Sequence, residues 1–212
     1  MQPTERLAAA FTHAHLGLRR GVVELAPASD AWAHVFQEVH AVLIATAPAS
    51  VIAIEHIGST SVPGLDAKAI LDIGIAVLPG TELSSLDDWQ VGLGMLLRGD
   101  ADAVRPDRMY GYELESMVRL ANVHVLEHRS EDWRRYLAFR DHLRAHPAER
   151  DAYAALKRSL AAQHPSDRLA YIDGKADFIT ARRGIAWHNC GDQHNLGCSH
   201  ATPPMLCRSP QM

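Results

Sequence analysis

Small, hydroxyl-bearing and charged side chains are concentrated between two apolar stretches, in the segment from residue 54 to residue 77. Gly58 and Ser59 follow the first stretch, and Asp72 stands within the second. Glycine lets a backbone approach a phosphate because it has no Cβ, and a hydroxyl with free N–H groups at a helix start can bind the anion. A carboxylate on the next strand can hold a cation beside it. The segment therefore predicts a phosphate or nucleotide site.

Asp72 is an acid in an otherwise apolar strand pattern. Because side chains alternate between the two faces of a strand, Asp72 shares its face with Ile70, Gly74 and Ala76. An unpaired buried charge is costly, so a metal ion, a basic side chain or helix N–H groups must compensate it. The structural alternative is that Asp72 pairs with Lys68 or caps a backbone N–H, and both interpretations stay open at this point.

Hydrophobic periodicity predicts the elements that would position these residues. Apolar residues at helical spacing predict a helix over 30–46 with Asp30 as its N-cap. Apolar runs predict strands over 51–57 and 70–77, the second covered on both faces. A short helix is expected to begin at Pro63 and Gly64 and to end near Lys68. The other expected elements of this half are a strand at 22–25, a helix over 83–97, a strand at 101–105, paired strands at 110–114 and 117–120, and residues 122–126 as a continuation or a separate strand.

The C-terminal half reads as one helix after another. Ser130 is expected to cap the first helix, Pro147 to begin the second and Pro165 to begin a third segment. A mixed sheet followed by helices is the α+β pattern. We therefore expect a leader over residues 1–20 that is frayed or a short helix, a core over 21–129, a helical block over 130–185 and a loose tail over 186–212. In the third helical segment, Leu169, Ile172, Ala176 and Ile179 are expected to face inward.

Composition limits the classes of function. The chain has 212 residues, of which 47% are hydrophobic and 22% charged, as is usual for a globular protein. No apolar run approaches the ~20 residues that span a bilayer, and the first residues lack a secretory signal pattern, so the cytoplasm is the expected location and no membrane partner is expected. The net charge of −4 argues against a general nucleic-acid binder.

The cysteines are confined to the last part of the chain, at Cys190, Cys198 and Cys207, among several histidines. Structural zinc sites usually contain closely spaced cysteine pairs, which this spacing does not provide. A loose extension is therefore the preferred interpretation of the tail, rather than a zinc site.

Four blocks of the sequence resemble the GrpB-like family, which belongs to the nucleotidyltransferase superfold. They are EHIGSTSVPGLDAKAILDI around the candidate site, NVHVLEH, WRRYLAFRDHLRAHP and YAALKRSLAAQHPSDRLAYIDGKADFI. The similarity runs from about residue 22 to about residue 181. It implies an α+β fold with a nucleotidyltransferase-like mixed β-sheet, flanking helices and a C-terminal helical block.

The resemblance also implies roles for particular residues. Gly58 and Ser59, together with Thr60, match the turn that binds nucleotide phosphates in the superfold. Asp72 matches the first metal-binding acid and is expected to hold Mg²⁺ and to be catalytic. The second acid position falls on Gly74, which cannot bind a metal. The third aligns with His124, which is expected to be a metal ligand or a general base near neutral pH.

Basic residues of the matching blocks are expected to complete a phosphate pocket. They are Lys68, Arg140, Lys157 and Lys175, and the helical block would fold over the sheet to present the last three. The alternatives are that Arg140 forms a local ion pair with Asp141, that Lys157 and Lys175 are surface residues, and that His124 is a core histidine.

Three functions follow from these observations. The leading hypothesis is a nucleotidyltransferase-like enzyme that transfers a nucleotidyl or phosphate-derived group from a nucleoside triphosphate (NTP) to a small-molecule acceptor, assisted by one Mg²⁺. The alternative, favoured by Gly74 at the second acid position, is a catalytically reduced module that binds a nucleotide or a CoA-like ligand. A structural or interaction protein with a relic pocket is the third.

Overall fold

A computed structural model describes residues 1–12, 15–100, 107–115 and 117–182. In this part of the chain, a six-stranded sheet has the order β2–β3–β6–β5–β4, and β1 also pairs with β6. Strands β3 and β6 run parallel, whereas the other paired strands are antiparallel. The strands are β1 (Leu18–Arg19), β2 (Val51–Ile57), β3 (Leu71–Val77), β4 (Leu96–Gly99), β5 (Arg108–Glu113) and β6 (Val118–Glu127).

Strand β3 is covered on both faces, as its nearly continuous apolar sequence predicts. Its residues Leu71, Ile73, Ile75 and Val77 are buried in the main core, together with side chains of helices α1 (Pro3–Thr12) and α2 (Ala31–Thr46). On the opposite face, Ala76 packs against a different helix, α4 (Glu131–Ala145). The fold is therefore α+β, with a mixed sheet flanked by helices.

The described residues after β6 are mainly helical up to residue 182, as expected. Ser130 caps α4, since its Oγ accepts a hydrogen bond from the backbone N–H of Trp133 at 3.2 Å. Helix α5 (Pro147–Gln163) begins at the predicted proline, α6 spans Arg168–Asp173, and residues 176–182 are also helical. Apolar side chains of α4 and α5 pack on Val62 and Leu65, just after the Gly-Ser turn. The helical block therefore covers the loop that the sequence singles out.

Two predicted elements near the site are wrong. Residues 22–25 do not form a strand, because the Val23 N–H donates to the carbonyl of Pro165 rather than to a neighbouring strand. The segment 63–68 is not a helix: a 3-10 turn spans Ser59–Ser61, and the chain then extends to a single bridge between Ala67 and Ala26. The extended chain carries Lys68 from the turn to β3.

The expected helix over 83–97 is also wrong in its second half. A 3-10 turn (Leu83–Leu86) leads into α3 (Asp87–Gly92), and Gly94 then adopts a positive φ of 85° that helices do not continue through. The chain enters β4 directly afterwards. The paired strands predicted near 110–120 are β5 and β6, and residues 122–126 continue β6.

Residues 3–12 are the short helix that the sequence left open as an alternative to a frayed leader, with Leu7 and Phe11 buried. The predictions for a strand at 101–105 and for the tail with its cysteines lie outside the described residues. Across the part of the chain that the structure describes, no helix combines the length and the apolar character needed to cross a bilayer.

Candidate functional site

A cavity of about 560 Å³ lies between one face of the sheet, the Gly-Ser loop and the helical block. It brings together every residue that the sequence analysis named as a site residue. Those residues are Gly58, Ser59, Thr60, Lys68, Asp72, His124, Arg140, Lys157 and Lys175. Residues separated by more than a hundred positions thus meet at one place, although this arrangement does not by itself assign their roles.

The Gly-Ser turn is in close contact with the side chain of Asp72. Gly58 has a φ of +68°, and a Cβ placed on it would lie 2.3 Å from Oδ2 of Asp72. Both facts require glycine at this position. The turn is held from behind by His56, whose Nε2 lies 3.0 Å from Oγ1 of Thr60. Burial lowers the pKa of His56 to about 4, so its ring is neutral at physiological pH.

A chain of hydrogen bonds fixes the carboxylate of Asp72. Its Oδ1 accepts from Nδ2 of Asn122 at 2.8 Å, and Oδ1 of Asn122 accepts from Arg119 at 2.6 Å. Arg119 is held in turn by the buried carboxylate of Glu113 at 3.1 Å. Asp72 keeps 29% of its side-chain surface exposed. The carboxylate is therefore held in a fixed orientation while it remains open to the cavity.

His124 lies between two carboxylates. Its Nδ1 is 2.6 Å from Oδ2 of Asp107, and its Nε2 is 3.8 Å from Oδ1 of Asp72. Burial alone would lower the pKa of His124, but these two carboxylates outweigh burial and raise the pKa to about 9. Burial likewise raises the pKa of Asp72, yet the nearby His124 and Asn122 bring it below its usual value. At neutral pH the pair is an imidazolium beside a carboxylate, which disfavours His124 as a general base.

Two lysines face the cavity, and burial lowers the pKa of each by more than the carboxylate of Asp72 raises it. The Nζ atoms of Lys68 and Lys175 lie 5.7 Å and 4.4 Å from the ring centre of the same tyrosine, Tyr171. Neither lysine forms an ion pair with a carboxylate in the described part of the chain. Burial lowers the pKa of Lys175 to about 8, with a further contribution from Lys68, and burial also lowers the pKa of Lys68.

Three other predicted phosphate contacts already have protein partners. Arg140 donates to Glu55 at 2.8 Å, to the His56 carbonyl at 3.0 Å and to Asp141 at 2.7 Å, so the local ion pair with Asp141 is present. Lys157 is 1% exposed and donates to the carbonyl of Asp66, while burial and Lys175 lower its pKa to about 7. Thr60 is buried against His56.

The donor set at Asp72 does not fit the Mg²⁺ that the superfold implies. Within the described residues, no group of three or more His, Cys, Asp or Glu side chains is arranged to hold a metal. The second acid position is Gly74, where a Cβ would already lie 3.0 Å from the ring of Trp133. Mg²⁺ requires oxygen ligands in near-octahedral geometry, whereas His124 presents nitrogen and engages both nearby carboxylates.

Sequence reasoning missed several residues of the site. Asp107, Asn122, Tyr171 and Arg168 all line the cavity. Asp107 and Asn122 depend on strand pairing, because Asn122 lies opposite Asp72 in the parallel ladder. The only sequence signal for Asn122 was the polar-apolar alternation of the NVHVL block.

The expectation that Leu169 and Ile172 face inward is wrong in part. Leu169 is 68% exposed and Ile172 is 36% exposed, although both line the cavity. Their helical stripe faces the open cavity rather than a closed core. Phe139, Tyr153 and Ile179 continue this apolar lining, so the cavity has a cationic side and an apolar side.

Comparison with known proteins places this geometry in a family. The model of the family described as "GrpB protein" matches residues 22–183, more than half of the chain. The UPF0157 protein YqkA of Bacillus subtilis is 37% identical over 157 residues, which are 74% of this chain and 45% of that protein. A UPF0157 protein of Pseudomonas aeruginosa is 40% identical over 166 residues, 77% of this chain and 67% of that one.

A solved structure shares the fold. The crystal structure of conserved protein GrpB from Enterococcus faecalis superposes with a TM-score of 0.69 and 28% identity, covering 79% of this chain and 99% of that one. The chain spans less than half the length of the Bacillus subtilis relative. Family model, relatives and structure agree, and the chain belongs to the GrpB protein family.

Proposed function

We propose that the cavity binds the polyphosphate of a nucleotide or a CoA-like ligand. The observation that carries the proposal is the pair Lys68 and Lys175, which share the Tyr171 ring next to the Gly58 turn and form no ion pair with a carboxylate within the described residues. Asp72 compensates their charge only in part, since burial still lowers the pKa of both lysines, and a half-buried cation that is incompletely compensated costs free energy. A phosphate bound beside them would remove that cost.

The rest of the cavity suits an amphiphilic phosphate ester. Its volume of about 560 Å³ lies within the range of small-molecule sites. Arg168 is exposed on the same cavity and extends the positive side. Phe139 on the apolar side is half-buried, and its ring offers an aromatic surface against which a nucleobase can pack.

Isothermal titration calorimetry of a purified sample tests this proposal. A nucleoside triphosphate, the matching diphosphate and the free nucleoside are titrated at neutral pH. We expect affinity to fall in that order, because each lost phosphate removes charge that the lysines stabilise. Equal affinity for the triphosphate and the free nucleoside, or no heat with any of them, would contradict the proposal.

A second candidate is nucleotidyl transfer to a small-molecule acceptor. It is favoured by Asp72, whose carboxylate is fixed by Asn122 and stays open to the cavity. In this reaction the acceptor hydroxyl gives its proton to Asp72 while its oxygen bonds to the α-phosphorus. The bond to the bridging oxygen breaks, pyrophosphate leaves, and Lys68 and Lys175 stabilise its charge. We place this activity in the cytoplasm, with neither nucleic acid nor membrane as partner.

Turnover of an α-labelled triphosphate with candidate acceptors separates the two candidates. Transfer predicts labelled product, and a loss of at least about a hundredfold in rate for Asp72→Asn, with nucleotide affinity retained. Tight nucleotide binding without labelled product would leave the binding function and reject transfer. Unchanged turnover in Asp72→Asn would remove Asp72 from the chemistry.

A further inference from the structure

We propose that His124 occupies the position that a divalent metal takes between strand acids, so that this site binds its polyanion with a side chain in place of a metal ion. The inference rests on the proposed function for the nature of the polyanion. Its central test uses metal alone and no nucleotide, so the two can fail separately.

The position of the ring is the first support. Strands β3 and β6 are parallel, and their register sets His124 opposite Gly74, two residues beyond the pair Asp72 and Asn122 and on the same face of the sheet. From there the ring reaches both acids, with Nδ1 2.6 Å from Asp107 and Nε2 3.8 Å from Asp72. The ring thus fills the space between two carboxylates that could otherwise converge on one ion.

The remaining oxygen atoms of Asp72 are the second support. Its Oδ1 already accepts a hydrogen bond from Asn122 at 2.8 Å. Its Oδ2 lies against the Gly58 turn, where even one added carbon would be 2.3 Å away. A metal at Asp72 would have to displace one of these neighbours in addition to His124.

The packing around Gly74 is the third support. An acid at this position would supply the second shared ligand of a metal site. A Cβ there would lie 3.0 Å from the ring of Trp133 and 3.4 Å from Ile57, and Trp133 is buried. Trp133 of α4 therefore occupies the space that an acidic side chain at position 74 would need. His124 is then the side chain that lies between Asp72 and Asp107.

Manganese binding followed by electron paramagnetic resonance tests the inference, because free and bound Mn²⁺ give different signals. The wild-type protein, His124→Asp and Asp72→Asn are compared in the absence of nucleotide. We expect no stoichiometric Mn²⁺ on the wild type, and one Mn²⁺ on His124→Asp with at least about tenfold tighter affinity, since three carboxylates would then face one point. Circular dichroism checks that each variant is folded.

Stoichiometric Mn²⁺ on the wild type that disappears in Asp72→Asn would overturn the inference. So would a folded His124→Asp variant that binds no more Mn²⁺ than the wild type, because the ring would then not be what excludes the metal. If His124→Asp does not fold, His124→Asn replaces it, with the amide oxygen as the added ligand and the same expected direction.

A second arm uses the nucleotide. The affinity of the wild type for a nucleoside triphosphate is measured in EDTA and in excess Mg²⁺, and we expect the two values to agree within about threefold. A loss of more than tenfold in EDTA would overturn the inference. No binding in either buffer would count against the proposed function, and the manganese experiment would still decide the role of His124.

Discussion

Two groups of cations line the same cavity and differ in what surrounds them. Arg140 contacts two carboxylates and a backbone carbonyl, so its charge is neutralised by the protein. Lys68 and Lys175 share one tyrosine ring, burial and Lys68 lower the pKa of Lys175, and Asp72 offsets the effect of burial on the two lysines only in part. The presence of a cationic side chain in the wall of a cavity is therefore not enough to indicate that it binds a ligand. A cation with its partners already in place holds the fold, whereas one whose charge the protein compensates only in part is available to an anion.

The largest expected effect is on nucleotide affinity when both Lys68 and Lys175 are replaced. In Lys68→Met/Lys175→Met, we expect nucleoside triphosphate affinity to fall about a hundredfold, since each lost charged contact is worth on the order of 1.4 kcal/mol or more. The free energy of unfolding should not decrease, because two half-buried cations that Asp72 compensates only in part are removed. Calorimetry and urea denaturation measure the two quantities. Arg158→Met, which removes a surface pair with Asp66, is the matched control and should leave affinity unchanged.

For Arg140 we expect the opposite result, a loss of stability with little change in nucleotide affinity. Arg140→Met should lower the free energy of unfolding by about 2 kcal/mol, because Glu55 and the His56 carbonyl lose their donor. Nucleotide affinity should change less than threefold, and a larger loss would place Arg140 with the lysines. Urea denaturation followed by circular dichroism gives the stability.

Both the stability of the protein and its nucleotide affinity should depend on pH through the lysines of the cavity. The folded protein lowers the pKa of Lys157 to about 7 and of Lys175 to about 8, against the ordinary 10.5. Between pH 7 and 10 the unfolded chain therefore binds more protons than the folded one, so the contribution of these lysines to stability rises with pH. Bound phosphate favours the protonated lysines, so nucleotide affinity should fall by about tenfold from pH 7 to pH 9.

Calorimetry in buffers of different ionisation enthalpy checks this prediction at pH 8. Binding should take up protons from solution there, and the uptake should shrink in Lys175→Met. Proton release on binding, or an affinity that is constant over this range, would contradict it.

The smallest effect belongs to an ion pair on the outer surface of α4. Arg135 and Glu131 are 42% and 68% exposed, respectively. Arg135→Met should change the free energy of unfolding by no more than about 0.5 kcal/mol, because solvent screens such pairs. Urea denaturation measured alongside Arg140→Met shows whether burial, rather than the loss of any arginine, causes the larger effect.

The sequence was informative where apolar periodicity and local motifs determine the structure. The strand pattern around Asp72 and the helix-start signal at Pro147 correctly indicated β3 and the start of α5. The segment from Pro63 to Lys68 was misread because its backbone bonds go to distant residues, such as Ala67 to Ala26. No local propensity encodes such a bridge.

Within the site, the sequence indicated one partner correctly, Asp141 beside Arg140, but not the partners that come from distant parts of the chain. Asp107 reaches His124 only because β5 and β6 pair in one particular register. The ion pairs that neutralise Arg140 span 85 positions to Glu55. Which cations are compensated is therefore a property of the tertiary fold, and a single sequence does not contain it in readable form.

The close contact between Gly58 and Asp72 also constrains how this protein can change. Because the turn leaves no room for one further carbon beside that carboxylate, the two positions cannot be varied independently. A library that randomises both codons and is selected for folded protein should return mostly glycine at position 58, because its φ of +68° alone favours glycine, and any larger residue there only alongside a smaller one at position 72. The two codons therefore form one unit of selection.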